Sequence, residues 1–566
     1  MTEPGNQLTG GEAVVRLLEA HGVDTVFGLC GDTSLPLYDA FYRIGGEIRH
    51  ILTRDERSAA YMADGYARVT GKVGVAEGPS GGGATYILPG VIEASESSIP
   101  VLALTSDVSV TGRGRYTLTE MDQPGLFRTL TKWNGMADSA AALPTLFRRA
   151  FREMTTGRPG AAHIGLPYDV LRQPVDAADV WGDPAVGQYP ARRMGADPAA
   201  VAEAAEVLLA AKFPVIVCGG GPVIAGAAPE VRLLAETLGA VVATTISGQG
   251  AIADGHPLAL GVVGSNGGVV ETRDVLAKAD VVLFVGCRAG SVTTERWRFP
   301  APGAARIVHI DSDPAVIGAN YATEVAVAGD AKLALAGLIG ALGVVKGDRG
   351  GAAKAAVAEA KRRKFERFEA LAASEEAPIR PERLVATLNR LAPKDAVIVC
   401  DPGTPCPYFS AYYRSDETGR QFISNRAHGA LGYSLAAGLG AHIGRPGVKT
   451  ISVMGDGSFG FTVGELETVT RIGAPITFIV VSNSVFGWIK AGQRHGYEKR
   501  FFSTSFSRTD HAAVAAAYGV KSWRVESPDA LETALAAALA HDGPSLVDVV
   551  CQPLDEAAAP VSEWVA

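Results

Sequence analysis

Short β-rich apolar runs alternate with alanine-rich stretches of helical spacing from one end of the chain to the other. Buried strands are expected at "DTVFGLCG", "FPVIVCGGG", "ADVVLFVGCRAG", "ARIVHIDSDP", "DAVIVCDPGTP", "KTISVM" and "PITFIVVSNS". A helix is expected around residues 35–44, and a strand–loop–helix unit at "VGVAEGPSGGGATYILPGVIEA". This alternation predicts an α/β fold of mainly parallel sheets flanked by helices. Two regions break the rhythm. Residues 172–198 are rich in Pro, Gly and Asp, and residues 344–380 hold a charged helix flanked by loops. A helix polar all round bridges domains. Cutting at both places predicts three domains, 1–180, 195–345 and 375–566. The first and last share the succession of strand, Gly-rich turn and helix, as two copies of one sheet architecture would.

Composition changes this picture little. At roughly 150–200 residues per domain, 566 residues suit three cores. Hydrophobic content of 47%, charge of 20% and a net charge of −8 describe a soluble globular chain and argue against a nucleic-acid partner. No apolar run approaches the ~20 residues that span a bilayer, so no membrane partner is expected. The start "MTEPGNQLTGGEAVV" lacks the basic and apolar regions of a signal peptide. Cysteines 30, 218, 287, 400, 406 and 551 form no CxxC pair and no zinc-ligand spacing. Reduced thiols in the cytoplasm are the expectation.

The candidate chemistry concentrates between Met454 and Ser484, "MGDGSFGFTVGELETVTRIGAPITFIVVSNS". "TISVM" reads as a strand, "GDGSFG" as its terminal loop, "TVGELETVTRIG" as a helix ending at Gly473, and "PITFIVVSNS" as the next strand. Asp456 and Asn483 then stand at adjacent C-terminal strand ends, where open α/β sheets bind ligands. A carboxylate, an amide oxygen and a nearby carbonyl suit a hard cation such as Mg²⁺, which fills its shell with water and phosphate oxygens. Gly455 and Gly457 would let backbone N–H groups approach a phosphate. The alternative is an ordinary βα turn and a strand-end cap.

The whole segment resembles the diphosphate–magnesium motif of thiamine-diphosphate enzymes. Other stretches keep that family's order. "RDERSAAYMADGYARVTGK" resembles the segment of the acid that contacts the coenzyme's aminopyrimidine, and it maps that acid to Glu56. "EGPSGGGATY" carries Gly81, "DPGT" maps Gly403 and Thr404 near the diphosphate, and Ser458 follows the Gly-Asp-Gly turn. "NRAHGALGY" resembles the stretch that props the coenzyme, with Leu431 at the bulky position and His428 as a proton-transfer candidate. "DSDPAVIGAN" resembles the end of the middle domain of acetolactate synthases. The resemblance covers nearly the whole chain. It implies thiamine diphosphate and Mg²⁺ as cofactors, with Asp456, Asn483 and the carbonyl near Val485 on the metal. It also implies a shared active site, with Glu56 from one subunit and Asp456 and Asn483 from another. A homodimer or homotetramer follows. In the middle domain Arg288 matches a nucleotide-contacting Arg of related enzymes, and the resemblance leaves three states open there: FAD, ADP or an empty site.

The implied reaction cleaves or forms a C–C bond beside a carbonyl, with a 2-oxo acid as the small anionic substrate. At the substrate-facing element "YTLTEMDQ", Leu118 and Thr119 replace the Phe and Gln of acetolactate synthases, while Glu120 remains. "GFTVGELETVTR" and "EMDQ" also resemble 2-hydroxyacyl-CoA lyases and oxalyl-CoA decarboxylases, which leaves an acyl-CoA as the alternative substrate. A non-catalytic nucleotide-binding assembly is a remoter alternative. The loop after Ser484 carries Lys490, Arg494, His495, Lys499, Arg500 and Arg508. It is either a site for an anionic substrate or a solvated loop compensated by Glu498 and Asp510.

Overall fold

The computed structural model describes residues 7–345, 347, 349–557 and 559–564. Lys346 and Asp348 of the second break, and both outer ends of the expected domains, lie outside these residues. A short strand β1 (Gln7–Thr9) opens the described chain. The first large sheet holds β2 (Thr25–Gly28), β3 (Arg49–Leu52), β4 (Gly74–Gly78), β5 (Val101–Asp107), β6 (Trp133–Met136) and β7 (Ala162–Pro167). β8 (Pro174–Asp176) returns to pair antiparallel with β1. The second holds β9 (Pro214–Cys218), β10 (Val241–Thr244), β11 (Ala259–Val262), β12 (Val281–Val285), β13 (Arg306–Asp311) and β14 (Val325–Ala328). The third holds β15 (Val397–Cys400), β16 (Phe422–Ser424), β17 (Thr450–Gly455), β18 (Thr477–Ser482), β19 (Lys521–Val525) and β20 (Ser545–Val550).

Every pairing within the three six-stranded sheets is parallel. Such sheets are covered on both faces, which is why their central strands read as unbroken apolar runs. Val281, Val282, Leu283, Phe284 and Val285 are all essentially inaccessible. Burying each such side chain is worth about 1.5–3 kcal/mol. Counted within its own domain, the strand order of the first sheet is second, first, third, fourth, sixth, fifth, and the third sheet has the same order. The two outer domains are therefore two copies of one topology, as their shared succession of elements suggests. The middle sheet runs third, second, first, fourth, fifth, sixth, the doubly wound order of dinucleotide-binding folds.

The chain divides into two compact units. One runs to Arg192 and takes in Ala427–Gly447 and Thr462–Ala474; the other comprises Arg193–Arg426, Val448–Phe461 and the chain from Pro475 onward. In the first unit the helices Glu56–Thr70 and Tyr433–Gly444 pack backbone to backbone. A Cβ on Gly65 would sit 2.2 Å from the Ala437 carbonyl oxygen, and one on Gly440 would sit 1.9 Å from that of Met62. Tyr433 donates to the buried Asp64 at the same crossing, and Arg68 holds Asp64 at 2.8 Å.

Two expectations change. The turn "GDGSFG" is not a loop: β17 runs to Gly455 and a helix, Asp456–Thr462, starts at the next residue. The helix in the second break, Gly351–Ala372, is not polar all round, because Ala353, Val357, Ala360, Lys364 and Phe368 form one buried stripe. Among the described residues no helix is long and apolar enough to cross a membrane.

Candidate active site

In the third sheet the strand order reverses direction between β15 and β17, and the C-terminal ends of β15, β17 and β18 lie side by side there. Asp401 follows β15, Gly403 turns the chain with φ of 94°, and Thr404 precedes the helix Pro405–Tyr412. Asp456 and Asn483 do meet. Asp456 Oδ2 accepts the backbone N–H groups of Asn483 at 2.8 Å and Ser484 at 2.6 Å, and Oδ1 accepts that of Gly457 at 2.9 Å. Asn483 Nδ2 faces Thr404 Oγ1 at 3.4 Å, and Asn483 Oδ1 faces the Val485 N–H at 3.4 Å. Ser458 donates to Asp401 Oδ2. A Cβ on Gly457 would come within 2.9 Å of the ring of Phe486, which is exposed and would have to turn aside. Burial pushes the Asp456 carboxyl up, while the N–H groups of Ser484, Asn483 and Gly457 pull it down.

Among the described residues no cluster of three or more His, Cys, Asp or Glu could hold a metal. The donors here are one carboxylate, one amide and backbone carbonyls, all hard oxygens. They fit a cation that draws the rest of its shell from phosphate and water. Softer metals, which favour sulfur and imidazole, do not match this set.

In the first unit the equivalent reversal lies between β2 and β4. Asp55 caps the helix Glu56–Thr70 by accepting the Arg57 N–H at 2.8 Å, and Glu56 is its first residue. Glu56 is not part of a solvated charge run, being 5% exposed. Gly78 and Gly83 make room for it: added Cβ atoms would lie 3.0 Å from its Cγ and 3.1 Å from its Oε1. Burial raises its pKa above the ordinary range, and the charges of Asp55 and Glu77 add to this.

Gly81 has φ of 65° and faces Thr119, itself at φ of 73°. The Thr119 hydroxyl bonds Ser80 at 2.6 Å, and Thr33 links Ser80 at 3.0 Å to Ser106 at 2.9 Å. Thr119 and Glu120 line an open cleft of about 1030 Å³ with Asp107, Arg113 and Met136. Glu120 accepts the Gly114 N–H at 2.5 Å. His428 is exposed on a loop whose backbone is held by the buried Glu93, which accepts the N–H groups of His428 at 2.7 Å and Gly429 at 3.2 Å. Leu431 is half-buried three residues further on.

Arg288 follows β12, and its carbonyl accepts from Asn320 at 2.9 Å. The glycines of "CGGG" and "GCRAG" pack against each other there: a Cβ on Gly219 would meet the Gly286 carbonyl oxygen at 2.0 Å. Strand-end packing accounts for Gly219, Gly221 and Gly286, while Gly220 and Gly290 have room for a side chain. The basic segment after Ser484 is not a loop throughout, because Gly487–Gly496, with Lys490, Arg494 and His495, is a helix, and its charge is compensated in an unforeseen way. Arg494 binds the buried Asp555 at 2.9 Å, Lys490 lies 3.7 Å from it, and His495 stacks on Trp564. Arg500 pairs with Glu498, but Asp510 caps a helix by accepting the Ala513 N–H.

Sequence reasoning passed over Glu77, Tyr38, Thr33, Ser80 and Glu465. For Glu77 a signal was present, since a carboxylate inside the buried strand "VGVAEG" needs a partner.

Three family models match the chain: the N-terminal TPP binding domain of thiamine pyrophosphate enzymes over residues 8–126, their central domain over 201–338, and their C-terminal TPP binding domain over 401–549. A probable acetolactate synthase large subunit of Methanococcus aeolicus is 34% identical, covering 96% of this chain and 92% of its own length. The acetolactate synthase of Mycobacterium bovis is 31% identical over 96% and 88%. The isozyme 3 large subunit of Escherichia coli K12 is 31% identical over 94% and 92%.

Proposed function

The chain belongs to the thiamine pyrophosphate enzymes, on their acetolactate synthase-like branch, and from that premise we propose that it is a cytoplasmic carboligase or decarboxylase acting on a small 2-oxo acid. The observation that carries the reading is the meeting of Asp456 and Asn483, 27 residues apart in the chain, at neighbouring strand ends. When bound, thiamine diphosphate supplies an acidic ring carbon and an electron sink for breaking or making a bond beside a carbonyl.

The chain's own groups divide the remaining work. Asp456, Asn483 and the Val485 carbonyl would hold Mg²⁺, with Gly403, Thr404, Gly455, Gly457 and Ser458 around the diphosphate. Glu56, buried and with its pKa raised, would present its carboxyl to the coenzyme's aminopyrimidine ring. Leu431 would support the coenzyme, and Thr119, Glu120, His428 and Gly81 would border the substrate. Asp555 occupies Arg494 and Lys490, which disfavours an acyl-CoA diphosphate on that loop.

Acetolactate formation from pyruvate with added thiamine diphosphate and Mg²⁺ tests the reading directly. Turnover of a 2-oxo acid is expected. Cleavage of a 2-hydroxyacyl-CoA with no 2-oxo-acid turnover would overturn it. A flavin or ADP on the middle sheet would rest on Arg288, and the absorption spectrum and nucleotide content of the purified protein decide that point separately. The shared-site homodimer is tested by mixing two inactive variants, Glu56→Gln and Asp456→Ala. If each site takes Glu56 from one subunit and Asp456 from another, mixed dimers regain one intact site. If both groups come from one chain, mixing restores nothing.

A further inference from the structure

The loop "AHGALG", residues 427–432, carries His428 and Leu431 between β16 and the helix Tyr433–Gly444. Two of its residues are glycines in the left-handed region, Gly429 with φ of 75° and Gly432 with φ of 84°. Apart from His428 it has no polar side chain, so it holds no capping group of its own. A backbone of this kind keeps one shape only if another element supplies its hydrogen bonds.

A carboxylate supplies them. Glu93, on the helix Leu88–Glu96, is fully buried. Its Oε2 accepts the N–H groups of His428 at 2.7 Å and Gly429 at 3.2 Å, and its Oε1 accepts that of Ala427 at 3.4 Å. Three consecutive N–H groups thus converge on one side chain, as a backbone nest does on a bound anion. Here the anion belongs to the chain itself, within the first compact unit.

The carboxylate is fixed in turn. Ser97, one helical turn on, donates to Oε1 at 2.7 Å, and Arg68 Nη2 donates to it at 3.3 Å. Arg68 Nε donates to Asp64 Oδ2 at 2.8 Å, and the Tyr433 hydroxyl donates to the same oxygen. Tyr433 is the first residue after the loop. Both ends of the loop are therefore tied to one buried set of groups, Glu93 at its start and Asp64 just past its end. Of the five partners of Glu93, the three N–H groups and Arg68 can only donate. An amide or a protonated carboxyl would turn a hydrogen towards them, so the position calls for an ionised carboxylate.

We propose that Glu93 is a positioning residue for the coenzyme, holding residues 427–431 in their binding shape before the coenzyme arrives. It acts only through that loop. The inference rests on the reading of Leu431 and His428 as coenzyme-facing residues. A loop ordered in advance loses little conformational freedom on binding, whereas a loose one must be ordered at the expense of affinity.

Hydrogen exchange of the coenzyme-free protein, read by mass spectrometry over residues 427–432, is the first half of the test. In the wild type these amides should exchange at least about 100-fold more slowly than in a free peptide of the same sequence. Free exchange there would refute the preformed loop, and this half needs no variant to fold. Calorimetry of thiamine diphosphate with Mg²⁺ is the second half. Glu93→Gln should lose the protection and raise the coenzyme Kd by about tenfold or more, with the number of sites per chain unchanged. The kcat at saturating coenzyme should stay within about threefold of the wild type. General damage to the fold would do the opposite, lowering the number of sites at an unchanged Kd, and would overturn the proposal. If protection is lost but the Kd is unmoved, the loop does not serve the coenzyme, and the reading of Leu431 and His428 falls with the proposal. A wild type that binds no thiamine diphosphate at all would instead sink the proposed function itself.

Discussion

The Ser484 backbone N–H donates to Asp456 Oδ2 at 2.6 Å, sharing that oxygen with the Asn483 N–H at 2.8 Å. Ser484 is in the left-handed region, with φ of 58°, so the carboxylate holds a strained turn after β18. The acid assigned to the metal is thus also the anchor of the loop that carries its partner amide.

Asp456→Ala therefore has two expected effects. Coenzyme binding should lose its Mg²⁺ dependence and weaken at least about 100-fold by calorimetry, as for loss of a charged ligand. The metal-free protein should also lose about 2–4 kcal/mol in urea unfolding, because buried N–H groups lose their acceptor. Unchanged metal-free stability would show that the carboxylate serves the metal alone.

Thr119 is a β-branched residue at φ of 73°, a conformation that costs about 1–3 kcal/mol. Thr119→Gly relieves that strain and loses one hydroxyl bond worth about 1 kcal/mol. Its melting temperature should be equal to or above that of the wild type, while turnover falls about tenfold or more. Lower stability together with full turnover would rule out a role for the strained hydroxyl.

Gly440→Ala sits mid-helix, where alanine is ordinarily better by about 1 kcal/mol. Here the new Cβ would meet the Met62 carbonyl oxygen at 1.9 Å. A loss of about 3 kcal/mol or more is expected in denaturant unfolding. A gain in stability would mean that the two helices do not cross at this glycine.

Glu465 is 1% exposed, and burial raises its carboxyl to about 7 from 4.5, against hydrogen bonds from Thr468 and Arg54. Between those values the folded chain binds the proton and the unfolded chain does not. The contribution to stability is thus complete below the lower value and is lost as pH rises through the upper one. Glu465→Gln imitates the protonated form. Relative to the wild type it should be about 2–3 kcal/mol more stable at pH 8 than at pH 5. Parallel stability curves for the two proteins would refute the shift.

Arg494→Ala leaves Asp555 buried without its main partner. A stability loss of about 3 kcal/mol is expected, with the substrate KM changed less than about threefold. A large rise in KM at unchanged stability would return Arg494 to the substrate.

The parallel sheets were legible because strands covered on both faces must be apolar throughout, and because a parallel arrangement puts the residue after each strand at a common edge. That logic brings Asp456 to Asn483 from sequence alone, whereas Glu56 was reached only through the resemblance of its segment. What stayed hidden depends on contacts between distant positions. The partners of Glu77 come from residues 38 and 50, and Asp555 reaches Arg494 from 61 residues away. Thr119 gave no local sign of a positive φ, since nothing in "YTLTEMDQ" demands one. The stripe on Gly351–Ala372 was masked by its charges, because Lys364 lies buried among its apolar positions.

The discontinuity of the first compact unit has a consequence for how the protein is made. The Glu56–Thr70 helix emerges early from the ribosome, but Ala437 and Gly440, which cover Gly65 and Met62, are synthesised more than 350 residues later. At about 5–20 residues per second, roughly 20–75 s pass before that cover exists. Throughout that interval the nascent chain carries an unfinished apolar helix face beside Glu56. Chaperone dependence during translation, more than equilibrium stability, is then the trait that substitutions along this face should alter first.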